Sequence, residues 1–152
     1  MPGYKVHLTG GAVAFTVVLV ATGGYTSSFV TWAEWLVFAL AGSLFPDIDT
    51  KSKGQKLFYN IIFVLLLFFL VLRNYGALVI LALAACIPLL VNHRGIFHRA
   101  WFVVAVPFAA AFMLGLYVPD HMRIALFDAL FFSAGALSHL WLDLGLRRMF
   151  RW

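Results

Sequence analysis

Long apolar segments alternate with short polar ones along the whole chain. Charged and turn-forming residues leave six apolar stretches, at about residues 8–23, 29–45, 57–72, 76–91, 100–118 and 124–142. Each is close to the length of about 20 residues that an α-helix needs to cross the hydrocarbon core of a bilayer. The pattern therefore predicts an all-α fold, a polytopic membrane bundle of about six transmembrane helices with short loops, forming a single integral membrane domain over residues 1–152.

The third and fourth stretches are separated by a very short polar segment, residues 73–76. A single helix over 57–91 would be far too long for a bilayer, so we expect a tight helical hairpin whose turn uses Asn74 and Gly76 for unusual backbone angles. The stretch 57–72 is short for a crossing. We expect it to need local bilayer thinning, snorkelling of its flanking basic residues, or a partly re-entrant path.

Composition strengthens the membrane interpretation. Of the 152 residues, 64% are hydrophobic and 11% are charged, against about 25% charged in an ordinary soluble domain. The mean hydropathy is +0.97. A soluble globule is excluded, and the net charge of +5 is typical of orientation signals and contacts with anionic membrane lipids, so no nucleic acid partner is expected.

The basic residues are distributed unevenly between the two sides that six crossings define. One side carries two of them, Arg73 and Arg123. The other carries nine, which are Lys5, Lys51, Lys53, Lys56, Arg94, Arg99, Arg147, Arg148 and Arg151. The positive-inside rule predicts that this second side, with both termini, faces the cytoplasm of a bacterial-type inner membrane.

Potential metal ligands fall on the same side. Ionisable groups near a bilayer are costly and need a partner or a function. Seven of them lie at the predicted cytoplasmic helix ends: His7, Asp47, Asp49, His93, His98, His139 and Asp143. Imidazole and carboxylate are ligands of Zn²⁺, Mn²⁺ and Fe. We expect a shared site for a divalent metal, most suitably zinc, against the alternative of unlinked interfacial polar residues and salt bridges.

The spacing of these residues indicates how they would converge. His139 and Asp143 are four apart and share a helix face. Asp47 and Asp49 follow Pro46, and an extended turn would let both carboxylates bind from one side. His93 and His98 need the bend that Gly95 permits. Seven candidates exceed the needs of one tetrahedral ion, so either two ions share the site or some of the seven support the ligands.

A metal site at the depth of the lipid headgroups favours hydrolysis of an amphiphilic phosphoester. We expect Asp49 to bridge or act as a general base, and Arg94, with Arg99 and the lysines of 51–56, to bind phosphate. Two alternatives remain. One is a non-enzymatic assembly or accessory protein with a structural metal, whose protein partners are unknown. The other is a metal-handling or transport protein, which the nearly uncharged helix centres disfavour.

Four motifs resemble one known family. They are a leading His7, then Phe45-Pro46-Asp47-Ile48-Asp49 followed by Gly54-Gln55, then His93-Arg94-Gly95-Ile96-Phe97-His98, and Ser138-His139 with Asp143. Together they resemble the YdjM family of LexA-regulated inner-membrane proteins, to which metal-dependent hydrolysis is ascribed. The resemblance implies a multi-helix membrane protein with a His/Asp metal site. Thr50 stands where family members often carry His, and Arg99 where they often carry Ser.

Overall fold

The computed structural model describes residues 3–23, 28–90 and 95–145, and within them it contains six α-helices. These are α1 (Tyr4–Ala21), α2 (Phe29–Leu44), α3 (Lys53–Val71), α4 (Tyr75–Leu90), α5 (Ala100–Tyr117) and α6 (Met122–Leu144). Five are long and apolar enough to cross a membrane, if α2 is taken together with the 3₁₀ turn that extends it to Asp49, and α4 is a shorter apolar helix of 16 residues. The all-α prediction with six helices is confirmed.

The last helix is the centre of the bundle. α6 packs against α1, α2 and α5, and α1 also packs against α2. One buried cluster joins α2 to α6 through Trp35, Ala39 and Phe131. A second joins α5 to α6 through Val103 and Leu140. The bundle therefore surrounds α6 on three sides and holds it at its middle and near its C-terminal end.

Two glycines let α2 and α6 approach each other closely. A Cβ on Gly135 would lie 1.9 Å from the carbonyl oxygen of Ala39, and one on Gly42 would lie 2.0 Å from the carbonyl oxygen of Phe132. Small residues at such crossings are typical of packed transmembrane helices. This contact brings the C-terminal turn of α2 directly beside the C-terminal part of α6.

The α3–α4 hairpin lies at the edge of this bundle. The two helices pack against each other, and the hydroxyl of Tyr59 donates a hydrogen bond to the carbonyl oxygen of Ala85 at 3.0 Å. Few residues of the hairpin are buried: Gly54 and Ile62 in α3 and Pro88 in α4. The remaining apolar surface of the hairpin is suited to lipid contact.

Two details of the hairpin differ from the sequence prediction. α3 begins at Lys53 rather than 57, because the side chain of Ser52 accepts a hydrogen bond from the backbone N–H of Gln55 and caps the helix. The short helix is thus α4. In the turn, the residue with a positive φ is Arg73, at 53°, and not Asn74 or Gly76. The side-chain oxygen of Asn74 instead accepts a hydrogen bond from the backbone N–H of Ala77, and Gly76 already belongs to α4.

Candidate metal centre

Several chain segments that carry His or Asp meet at one end of the bundle. Asp47 lies in a 3₁₀ turn over Phe45–Asp49, which directly follows α2 and has Pro46 as its second residue. His98 ends a second 3₁₀ turn, Ile96–His98, which leads into α5. His139 and Asp143 lie on the last two turns of α6. The two short turns pack against each other, so residues far apart in the sequence are brought together.

Four side chains form a compact group at this end. Asp47, His98, His139 and Asp143 each offer one ligand atom, and these atoms all lie within 4.8 Å of one another. The side chains of His98, His139 and Asp143 are almost completely buried, whereas that of Asp47 is 26% exposed. We call these four residues the His/Asp group. Its accessible side is therefore the Asp47 side.

A backbone carbonyl fixes the ring of His139. Its Nδ1 lies 2.7 Å from the carbonyl oxygen of Ser43, and because a carbonyl oxygen accepts hydrogen bonds, Nδ1 carries the proton and donates it. In the neutral ring, Nε2 then presents its lone pair to the carboxylates of Asp47 and Asp143. Metal-binding histidines are commonly oriented by such a hydrogen bond from the other ring nitrogen.

The distances within the His/Asp group suit a shared cation. Nε2 of His139 lies 3.5 Å from Oδ1 of Asp47 and 3.8 Å from Oδ2 of Asp143, and Nε2 of His98 lies 3.7 Å from Oδ1 of Asp47. Hydrogen bonds would be about 2.7–3.2 Å. Ligand atoms about 2.0–2.2 Å from one tetrahedral ion are separated by about 3.3–3.6 Å. These three distances are therefore closer to the separation of ligand atoms around one ion than to the length of a hydrogen bond, and all the ligand atoms of the group lie within 4.8 Å of one another.

Two buried atoms of the group lack a hydrogen bond within the described part of the chain. They are Nε2 of His139 and Oδ1 of Asp143. A buried polar atom without a partner costs about 1–3 kcal/mol, and a charged one costs more. A divalent cation beside His139 would satisfy its Nε2, whereas Oδ1 of Asp143 lies 3.5 Å from Nε2 of His7. The donor set of two imidazoles and two carboxylates is one that zinc and related ions accept.

His7 supports the group from α1. Its Nε2 lies 3.5 Å from Oδ1 of Asp143, and its ring stacks on that of His139 with centroids 3.8 Å apart. Gly11 allows this approach, since a Cβ there would lie 2.8 Å from the side chain of Ser43. His7 therefore lies beside the four and is placed to orient two of them.

The other sequence candidates have different positions. Asp49 is not in the His/Asp group, although both its carboxylate oxygens are buried. The expected extended turn is a 3₁₀ turn instead, which has about three residues per turn and puts side chains two apart on different sides. His93 and Arg94 lie outside the described residues.

One contributor has no signature in the sequence. The carbonyl of Ser43 orients His139, yet every residue offers a carbonyl, so residue type does not reveal this role. The indirect signal is the pair of glycines, Gly42 and Gly135, which permits the close helix contact at this level of the bundle.

Comparison with known proteins gives one informative result. A family profile described as YdjM inner membrane protein matches residues 1–152, the whole chain. No curated protein and no solved structure matches the chain.

Proposed function

The chain belongs to the YdjM inner membrane protein family, and from this membership and the His/Asp group we propose a membrane-bound, metal-dependent hydrolase that acts on a phosphoester of a lipid or other amphiphile. The observation that carries the proposal is the convergence of Asp47, His98, His139 and Asp143 within 4.8 Å. At the end of a membrane bundle, such a group would lie at the depth of the lipid headgroups.

Each residue has a distinct role in this proposal. Asp47, His98, His139 and Asp143 hold a divalent ion, most suitably Zn²⁺, with Mn²⁺ or Fe as alternatives. His7 orients Asp143 and His139. A bound divalent ion supplies Lewis acidity and a nucleophilic water at neutral pH. The four-residue set suits one ion, and a second ion would require further ligands such as Asp49.

Basic residues at the same end would bind the phosphate. Lys53 is placed there by the contact of its Nζ with the ring of Tyr4 at the start of α1, 5.9 Å from the ring centroid. Lys51 and Lys56 flank it in the sequence, and Arg99 directly follows His98. Arginine binds phosphate through paired hydrogen bonds and lysine as a point charge. We assign Arg94 to the same role from its place in the sequence.

Hydrolysis by the purified protein tests the proposal. We expect it to cleave a phosphodiester, either bis-p-nitrophenyl phosphate or a phospholipid in vesicles. Cleavage should stop with a chelator and return when Zn²⁺ is added. His139→Ala should lower the rate by more than about 100-fold, since removing a ligand costs more than removing a supporting group. His121→Ala is the matched control, because His121 is exposed and lies in the turn before α6.

Two outcomes would contradict the proposal. Metal-loaded protein that cleaves none of these substrates would favour a structural metal in an assembly or accessory protein. Cleavage that survives both the chelator and His139→Ala would place the chemistry elsewhere.

A further inference from the structure

The turn that carries Asp47 is bonded to the start of α3 through one hydroxyl group. The side chain of Ser52 donates a hydrogen bond to the backbone carbonyl oxygen of Asp47, with 2.8 Å between the two oxygens. The same hydroxyl accepts a hydrogen bond from the backbone N–H of Gln55 at 3.0 Å, which caps α3. A hydroxyl can donate and accept at the same time. Ser52 therefore links a residue of the His/Asp group to the first turn of a membrane-spanning helix.

Thr50 also bonds to this carbonyl, but from within the same short segment. Its hydroxyl lies 3.0 Å and its backbone nitrogen 3.3 Å from the carbonyl oxygen of Asp47. Because Thr50 is three residues from Asp47, these bonds shape the turn and leave its position against other elements open. The bond from Ser52 differs because it continues into α3.

The first turn of α3 is itself held against the end of α2. Gly54 is buried, and a Cβ on it would lie 2.5 Å from the carbonyl oxygen of Leu44, the last residue of α2. α3 also packs against the 3₁₀ turn over Phe45–Asp49. Ser52 therefore bonds Asp47 to a part of α3 whose distance from α2 is set by backbone contact.

Asp47 depends on such a support more than the ligands on α6 do. His139 and Asp143 lie on a long helix, whose own backbone hydrogen bonds fix the position of each residue. Asp47 lies on a turn of five residues and is the more exposed carboxylate of the group. A ligand on so short a turn moves whenever the backbone of the turn moves.

We propose that Ser52 is a positioning residue for the metal ligand Asp47. Its hydroxyl holds the backbone of Asp47 against α3, so that Oδ1 of the carboxylate stays near Nε2 of His98 and Nε2 of His139. The inference rests on the metal binding in the proposed function and does not depend on the hydrolysis. It gives the α3–α4 hairpin, which lies at the edge of the bundle, a direct part in forming the site.

The affinity of the purified full-length protein for Zn²⁺ tests the proposal, measured by competition with a chelating indicator. Ser52→Gly removes the hydroxyl, and glycine at a helix N-cap costs little helix stability. We expect the Kd for Zn²⁺ to rise by about 10–100-fold, as it does when a group that supports a metal ligand is removed. Ser52→Thr keeps a hydroxyl at this position and should keep the wild-type Kd.

Asn74→Gly is the matched control. Asn74 caps α4 in the same way, since its Oδ1 accepts the backbone N–H of Ala77, three residues on, at 3.1 Å. It follows α3, whereas Ser52 precedes it, so the two caps lie at opposite ends of the hairpin. The Kd of Asn74→Gly for Zn²⁺ should equal that of wild type. If a glycine variant fails to fold, Ser52→Ala and Asn74→Ala repeat the comparison.

Three results would overturn the positioning role. The first is an equal Kd for Zn²⁺ in wild type and Ser52→Gly. The second is an equal rise in Kd in Ser52→Gly and Asn74→Gly, which would show that any weakening of the hairpin lowers the affinity. The third is a Kd in Ser52→Thr as high as in Ser52→Gly, which would show that the hydroxyl is not the group responsible.

The same measurements separate failure of this inference from failure of the proposed function. An affinity for Zn²⁺ that depends on Ser52, in a protein that hydrolyses nothing, would leave the positioning role and remove the hydrolase. Hydrolysis by the zinc-loaded protein, with equal Kd in wild type and Ser52→Gly, would leave the hydrolase and remove the positioning role. Wild-type protein that binds no Zn²⁺ would remove both.

Discussion

At the scale of the residue, the buried charges determine what the site can be. Asp47 and Asp143 direct carboxylate oxygens at the same nitrogen, Nε2 of His139, from 3.5 and 3.8 Å. Two carboxylates in a mostly buried site are costly unless a positive charge balances them. A divalent ion would balance both at once and would also accept the lone pair of His139. Charge and hydrogen bonding thus both suit a cation at this position.

The exposure of single residues gives the site a direction. His7, His139 and Asp143 are enclosed by α1, α2 and α6, and their side chains are at most 2% exposed. Asp47 lies on the short turn after α2 and remains partly open. A ligand would therefore approach from the Asp47 side.

At the scale of the element, the crossing of α2 and α6 determines whether the site can form. Replacing Gly135 with Ala places a Cβ 1.9 Å from the carbonyl oxygen of Ala39, so the helices must separate. We expect Gly135→Ala to destabilise the protein by about 1–3 kcal/mol, as overpacking does. The midpoint of thermal unfolding should fall, and metal binding should weaken because Ser43 moves away from His139.

Gly76→Ala is the matched control for this substitution. The nearest atom to a Cβ there is Oδ1 of Asn74 at 3.8 Å, an ordinary contact, and alanine favours a helix over glycine by about 1 kcal/mol. Its midpoint should be unchanged or slightly higher. Equal midpoints for the two variants would contradict the close crossing.

Much of this architecture was predictable from the sequence, for identifiable reasons. Long apolar runs give the helices, and the i, i+4 spacing places His139 and Asp143 on one face. What the sequence could not supply depends on contacts between distant segments. The Ser43 carbonyl, the stacking of His7 on His139 and the separation of Asp49 from Asp47 all arise from tertiary packing and from a turn whose geometry the pattern leaves open.

At the scale of the whole molecule, the nine basic residues predict that the site faces the cytoplasm. Single-cysteine labelling tests this in a Cys86→Ser background. On intact cells, a membrane-impermeant maleimide should label Asn74→Cys, in the α3–α4 turn. It should label Lys51→Cys, at the site end, only after the membrane is opened. Both residues are exposed, so reactivity reports the side of the membrane.

The reverse labelling pattern would show that the protein has the opposite orientation in the membrane. Asn74→Cys could instead be labelled only after lysis. That result would indicate that the α3–α4 hairpin is re-entrant, in accord with the shortness of α4. The other loops would keep their sides in that case, because a re-entrant hairpin removes two crossings together.

The central claim is that this bundle holds a divalent metal in the His/Asp group, and elemental analysis of the purified protein tests it most directly. Wild type and His121→Ala should each contain about one divalent ion per chain, as a four-ligand site requires. His139→Ala and Asp47→Ala should contain almost none. Near-zero metal in all four proteins, or the same metal content in all four, would contradict the account.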